Sequence, residues 1–152
     1  EKWRSNFKGV RVLHAATNLE LFGAIDDLWR DLDTGESIVA DYKATSKTAE
    51  VTIDADWQIS YKRQMEFYQW LLRGQGLRIA RRGWFVYCNG RRDLPEFGGR
   101  LEFRISMIPY EGDDAWVEAT LDAILGTLRA PEPPALSEAC EYCAYVAQAG
   151  AP

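Results

Sequence analysis

Two apolar, β-branched runs, Leu19 to Trp29 and Ser37 to Ala44, flank the turn chemistry of Asp33-Thr34-Gly35-Glu36 and predict an antiparallel hairpin. Opposed positions in such a hairpin carry numbers with a constant sum, so a turn centred near Thr34 brings Asp26 opposite Asp41 or within about two residues of it. Upstream, Val10, Val12 and His14 alternate with polar residues as a first strand would. Thr45 to Ala55 is polar and reads as a loop. Asp56 suits the cap of a helix from Trp57 to about Arg73, closed by Gly74. Trp57, Tyr61, Met65, Tyr68, Leu71 and Leu72 form an apolar stripe on that helix, and Gln64 falls inside the stripe. Arg78 to Cys88 reads as a strand followed by an Asn89-Gly90 turn. Gly99 to Tyr110 reads as a half-buried strand with Leu101, Phe103, Ile105 and Met107 inward. Asp113 to Leu128 fits an amphipathic helix through Trp116, Ala119, Ile124 and Leu128. The sum is an α/β core with a central mixed sheet flanked by helices, over residues 1–130. A Pro-rich link, Pro131-Glu132-Pro133-Pro134, leads into a tail over residues 131–152.

At 152 residues and 47% hydrophobic content the chain has enough apolar surface to fold on its own core. No apolar run reaches the length of a membrane span and no signal-peptide pattern opens the chain, so a soluble cytoplasmic protein is expected. The chain starts at Glu1 rather than Met, which suggests a fragment.

The net charge of −5 argues against a nucleic-acid partner until its distribution is considered. Tyr61 to Arg104 holds ten Lys and Arg against four acids, or +6, and the remainder, eight against nineteen, is −11. A basic half beside an acidic half suits a phosphate-binding groove next to a metal site. Taken singly, Arg81-Arg82 and Arg91-Arg92 are equally well explained as solvated turn residues.

Candidate chemistry lies in the hairpin. Asp41 and Lys43, two apart, point to one face while Tyr42 points to the other. Two carboxylates among apolar strands repel each other unless a cation or a shared proton relieves them. Asp26 and Asp41 are hard oxygen donors suited to Mg²⁺ or Mn²⁺. Lys43 would then hold a phosphate oxygen or an attacking water. A surface hairpin with a solvated ion pair is the alternative reading of the same residues. Gln64 on a core-facing stripe needs partners, and Tyr68 lies one turn away on the same face. The pair would reach the metal site, or else serve as a core aromatic and a glutamine bonded to backbone. Glu20 shares the face of Asp26 if no bulge intervenes.

Gly23-Ala24-Ile25-Asp26, then Asp41-Tyr42-Lys43 about fifteen residues on, then Gln64-Met65-Glu66-Phe67-Tyr68 on the following helix resemble the PD-(D/E)xK nuclease superfamily. Within it they resemble the RecB-like exonuclease branch, with its G-x-I-D, (D/E)-x-K and Q-x-x-x-Y motifs. The match covers roughly Leu19 to Leu72. It implies a restriction-endonuclease-like core and metal-dependent hydrolysis of DNA phosphodiesters, with exonuclease action on ends. The setting it implies is repair, recombination or phage and CRISPR-type defence in a prokaryotic or phage cytoplasm. Asp26, Asp41 and the Tyr42 carbonyl would hold Mg²⁺ or Mn²⁺, Lys43 would orient the attacking water, and Gln64 with Tyr68 would position the strand. DNA is the implied partner, with a helicase or other nuclease-complex subunits beside it.

Some relatives, among them CRISPR-associated exonucleases, clamp an iron-sulfur cluster with cysteines from both ends of the core. Cys140-Glu141-Tyr142-Cys143 supplies half of such a cluster or of a zinc site. The remaining cysteine, Cys88, reads as a reduced core thiol, so further ligands would lie upstream, or Cys140 and Cys143 are a disulfide or free thiols. His14 and Glu20 are further candidate metal ligands, although relatives carry their histidine on a helix well before the G-x-I-D strand. Two other functions fit the same residues: a nuclease-fold module that binds DNA or an assembly without cutting, and a restriction-type endonuclease, for which no sequence-reading element is evident.

Overall fold

The computed structural model describes residues 2–5, 8–96, 98–137 and 139–150. Glu1 and Pro152, the outer bounds of the two expected segments, lie outside the described residues. Strands β1 (Val10–His14) and β2 (Leu19–Gly23) form an antiparallel pair of their own. Strands β3 (Asp27–Arg30), β4 (Ser37–Thr45), β5 (Arg82–Gly90) and β6 (Phe103–Glu111) form a second sheet in the order β3-β4-β5-β6. It is mixed, because β4 and β5 run parallel while its other neighbours are antiparallel. A 3-10 turn, Asp56–Gln58, leads into helix α1 (Ile59–Gly74), and α2 (Trp116–Arg129) and α3 (Glu141–Ala149) follow β6. The mixed α/β architecture expected from the chain pattern is thus present.

The expected single strand from Leu19 to Trp29 is broken. Ala24 to Asp26 leave both ladders, and the Ile25 N–H donates to the Trp3 carbonyl at 2.9 Å. The break lets the chain pass from the small sheet to the large one with its backbone still bonded. The β3–β4 connection turns where expected, but the closing side chain is Asp31, ahead of the expected Asp33 to Glu36. Asp31 Oδ1 accepts from the Asp33 and Thr34 N–H groups, each at 2.9 Å, and Gly35 takes φ of +69°.

Helix α1 lies across the sheet and brings Met65, Tyr68, Leu71 and Leu72 into one core with Val39 of β4 and Phe85 of β5. Odd-numbered residues of β4 and β5 face this helix, as Val39 and Phe85 do. Two expectations about α1 are corrected. Asp56 does not cap it: Asp56 sits inside the 3-10 turn, where the Gln58 side chain accepts from the Ala55 N–H instead. Trp57 is exposed rather than part of the buried stripe, because it belongs to that turn and not to the helical period. Glu66 and Gln69, which the stripe left out, are buried. Glu66 accepts from Tyr110 Oη at 2.6 Å and Trp116 Nε1 at 2.7 Å, tying β6 and the start of α2 to α1.

The later strands also depart from expectation. Asn89 and Gly90 are not a turn; they end β5, paired with Arg104 and Phe103. Residues 78–81 precede the strand, and Ile79 makes only an isolated bridge to Ser37. In β6 the expected phase is inverted. Phe85 opposes Ile108, so Ser106, Ile108 and Tyr110 turn inward while Phe103, Ile105 and Met107 are exposed. Both phases of that strand carry apolar residues, and a one-residue shift of register exchanges them. Pro109 lies on the outward phase of this edge strand, where a missing N–H is tolerated. In α2 the buried residues are Val117 and Leu121, and Ile124 and Leu128 are exposed. No described helix is long and apolar enough to cross a membrane.

Candidate active site

The β3–β4 ladder runs from Arg30 and Ser37 to Asp27 and Ala40, and one further step sets Asp26 against Asp41. Asp26 has already left the strand, but its side chain continues the ladder: Oδ2 accepts from the Tyr42 N–H at 2.9 Å. The carboxylate thereby lies against β4 on the Asp41 side. Asp41 is central in β4, paired with Phe85 of β5, and only 2% exposed.

Asp41 is poorly satisfied. Neither carboxylate oxygen accepts a well-directed hydrogen bond among the described residues; Oδ2 has ion-pair contact with the Lys43 ammonium at 2.5 Å, and the Asp26 carboxyl interacts with the same group. Burial pushes the Asp41 carboxyl above its ordinary pKa, the Lys43 ammonium opposes that rise, and the charge of Asp26 adds to it. A buried carboxylate without a well-directed hydrogen bond, beside a second carboxylate, is poised to accept a cation.

Lys43 extends from the same face of β4 and is fixed from two sides. Its Nζ donates to Gln64 Oε1 at 3.0 Å and lies 4.5 Å from the centre of the Tyr61 ring. Gln64 Nε2 in turn donates to Tyr68 Oη at 2.8 Å. Burial raises the Tyr68 pKa, the Gln64 bond lowers it, and the charges of Asp41 and Asp26 add to the rise. The structure therefore gathers Asp26, Asp41, Lys43, Gln64 and Tyr68 into one constellation, with the Tyr42 backbone at its edge.

Gly23 makes room for this arrangement. A Cβ there would lie 2.8 Å from Tyr68 Cε1 and 3.1 Å from Leu71 Cδ1. Gly23→Ala is expected to push Tyr68 away from Gln64 and to cost about 1–3 kcal/mol, read as a lower urea midpoint at unchanged slope.

Other candidates are placed elsewhere. His14 bonds Thr17 Oγ1 at 2.8 Å and Glu118 Oε2 at 2.9 Å, at the end of the β1–β2 pair away from Gly23. Glu20 is exposed and paired with Arg11 at 2.7 Å. Cys88, Cys140 and Cys143 are free thiols in this structure. Cys140 Sγ accepts from the Cys143 N–H at 3.3 Å as the cap of α3. Among the described residues no three His, Cys, Asp or Glu side chains converge as a metal cage. Asp26 and Asp41 thus offer two carboxylates on one side of β4. That is a hard, incomplete oxygen set of the kind Mg²⁺ or Mn²⁺ completes with water and substrate phosphate.

Two residues near the site had no signal in the chain pattern. Arg4 Nε donates to the Asp26 carbonyl and Arg4 Nη2 lies 3.8 Å from Asp27 Oδ2, so the amino-terminal turn clasps the loop that carries Asp26. Asp27 faces the opposite side of the sheet, where it accepts from Tyr42 Oη at 2.9 Å. Burial pushes its carboxyl up, but hydrogen bonds from Tyr42, the Leu28 N–H and Trp29 outweigh this and hold it below its ordinary value.

A family model for the PD-(D/E)XK nuclease superfamily matches residues 2–148. The chain belongs to the PD-(D/E)XK nuclease superfamily. The mixed four-stranded sheet flanked by helices is consistent with the restriction-endonuclease-like fold, and membership in the superfamily points to phosphodiester hydrolysis. PD-(D/E)XK nucleases typically use divalent metals such as Mg²⁺. No curated protein and no solved structure matches the chain.

Proposed function

We propose that the chain is a metal-dependent deoxyribonuclease of the RecB-like kind, cutting DNA phosphodiesters from strand ends. The observation that carries this reading is the buried Asp41 carboxylate, without a well-directed hydrogen bond and set beside Asp26 and the Lys43 ammonium. Without a cation or a phosphate-binding role such a cluster is a cost to the fold with no return.

Asp26, Asp41 and the Tyr42 carbonyl would hold Mg²⁺ or Mn²⁺. A divalent ion there supplies Lewis-acid stabilisation of the charge that builds on the phosphate during hydrolysis. The chain's own groups do the rest. Lys43 meets the developing negative charge or the attacking water with an ammonium already held by Gln64 and the Tyr61 face, so little reorganisation is needed in the transition state. Gln64 fixes Lys43, and Tyr68 fixes Gln64; because Tyr68 accepts from the amide, its own proton remains available to a phosphate oxygen. The low exposure of Asp41 keeps competing water from its oxygens. Repair, recombination or defence is the setting proposed, with DNA as substrate and a helicase or other nuclease subunits as companions.

The test is cleavage of end-labelled linear DNA against covalently closed circular DNA, with Mg²⁺, with Mn²⁺ and with EDTA. The expected result is metal-dependent release of short products from linear DNA alone. Cutting of the closed circle would replace the exonuclease reading by an endonuclease one. Cutting that survives EDTA would remove the metal from the account.

A further inference from the structure

The approach to α1 carries an aromatic side chain the fold does not use. Trp57 is 56% exposed in the 3-10 turn, although tryptophan is among the side chains with most to gain from burial. It is nonetheless held in place. The Tyr61 ring meets it edge to face, centroids 5.4 Å apart at 80°, and the Tyr61 face carries the Lys43 ammonium. On its other flank, Lys47 Nζ lies 5.6 Å from the Trp57 ring centre. The Lys47 loop is itself locked to β5: the Lys47 N–H donates to Asn89 Oδ1 at 2.8 Å, and Asn89 Nδ2 donates to the Lys47 carbonyl at 3.0 Å.

Beyond Lys47 the surface opens into a pocket lined by Asn89, Arg91, Arg92 and Arg104, with Asp93 as its acid. Arg91 is committed to Asp93 and Glu102, and Arg104 lies 3.5 Å from Asp93. Arg92 makes no ion pair among the described residues. From the carboxylates outward the order is therefore Lys43, Tyr61, Trp57, Lys47, then the arginine pocket. Two packed aromatic rings, Tyr61 and Trp57, thus lie between the Lys43 and Lys47 cations along a path that starts at the reacting centre.

We propose that Trp57, braced by Tyr61 and flanked by Lys47, is a base-stacking subsite for an unpaired nucleic-acid strand whose backbone runs from Lys43 to the Lys47–Arg92 pocket. The inference rests on the nuclease reading for the strand's direction of travel but not for its affinity. A base in an unpaired strand can leave its neighbours and lay its face on the indole, while cations on both sides hold the adjoining phosphates. Bases inside a duplex have both faces covered by their neighbours and cannot do so without unstacking. The subsite therefore selects single strands by availability of a base face and not by sequence.

The test measures binding of fluorescently labelled oligothymidine, of an abasic oligomer of equal length, and of oligothymidine annealed to its complement, by anisotropy in EDTA. Wild type, Trp57→Ala and Trp57→Phe are compared, with thermal melts showing that the exposed position leaves the fold intact. Wild type is expected to bind oligothymidine about tenfold more tightly than the abasic oligomer; Trp57→Ala is expected to erase that preference and Trp57→Phe to restore most of it. The annealed duplex is expected to bind all three proteins alike. Equal affinity of wild type and Trp57→Ala for oligothymidine, or an equal loss on the abasic oligomer, overturns the subsite. EDTA keeps this result separate from catalysis. A chain that stacks bases but never cuts would retain the subsite and lose the nuclease reading, whereas a chain that cuts with no Trp57 dependence loses the subsite alone.

Discussion

Asp41→Asn is expected to abolish DNA cleavage while making the metal-free chain more stable. The two effects have one cause. Burial and the neighbouring Asp26 charge raise the Asp41 pKa even with Lys43 in contact, so the folded state binds the Asp41 proton more tightly than the unfolded state does. The sign follows from linkage. Where the folded state holds the extra proton, stability falls as pH rises from the unfolded carboxyl value through the folded one, and stays at the lower level above it. Asparagine keeps the shape and removes the charge. In EDTA at neutral pH the variant should gain on the order of 1 kcal/mol, or about 2–4 °C in melting temperature for a chain of this size. Below the unfolded carboxyl pKa, where wild-type Asp41 is protonated in both states, the difference should vanish. Thermal melts across that range, paired with a cleavage assay, test both halves. Loss of cleavage with a lowered melting temperature at neutral pH would mean that Asp41 is a structural anchor.

Lys43→Met is expected to have the opposite sign on stability and the same sign on activity. The substitution keeps an unbranched apolar stem against Tyr61 but leaves Asp41 buried beside Asp26 with no counter-charge. Breaking one side of a buried pair costs about 3–5 kcal/mol, and about 3 is expected here because Lys43 is partly exposed. The loss should shrink as pH falls and Asp41 becomes protonated, since the variant raises the folded-state pKa of Asp41 further still. Cleavage should drop by about 10²- to 10³-fold, the usual effect of removing one preorganised donor to a developing anion. The double variant Asp41→Asn with Lys43→Met should recover most of the lost stability and none of the activity. A double variant whose stability equals the plain sum of the two single effects would show that the two side chains do not form the coupled pair described.

The convergence of the two carboxylates was legible in the chain because a hairpin turn fixes its register. Once Asp33 to Glu36 is read as the turn, Asp26 must come near Asp41, and the ladder ends one step short of that pair. Gln64 was legible for a different reason: a polar residue inside an apolar helical stripe has to be bonded, and it is, to Lys43 and Tyr68. What escaped reading involves choices made by distant parts of the chain. The break at Ala24 to Asp26 depends on Trp3 and Arg4. The phase of β6 depends on register with β5, and a strand apolar on both phases carries no internal sign of which face turns inward. Trp57 looked like the first member of the α1 stripe because a 3-10 turn and an α-helical turn are indistinguishable at a single position. Cys140-Glu141-Tyr142-Cys143 has the spacing of half a cluster, but the structure brings no third ligand to it among the described residues, and a spacing motif says nothing about where partners lie.

The proposed chemistry rests on a divalent cation held by Asp26 and Asp41. Calorimetric titration of Mn²⁺ into the chain, compared with Asp41→Asn and with His14→Ala, tests it most directly. Binding to wild type and to His14→Ala alike is expected, with its loss in Asp41→Asn. Mn²⁺ binding unaffected by Asp41→Asn, or no binding to wild type in the presence of a DNA strand that it does bind, would contradict it.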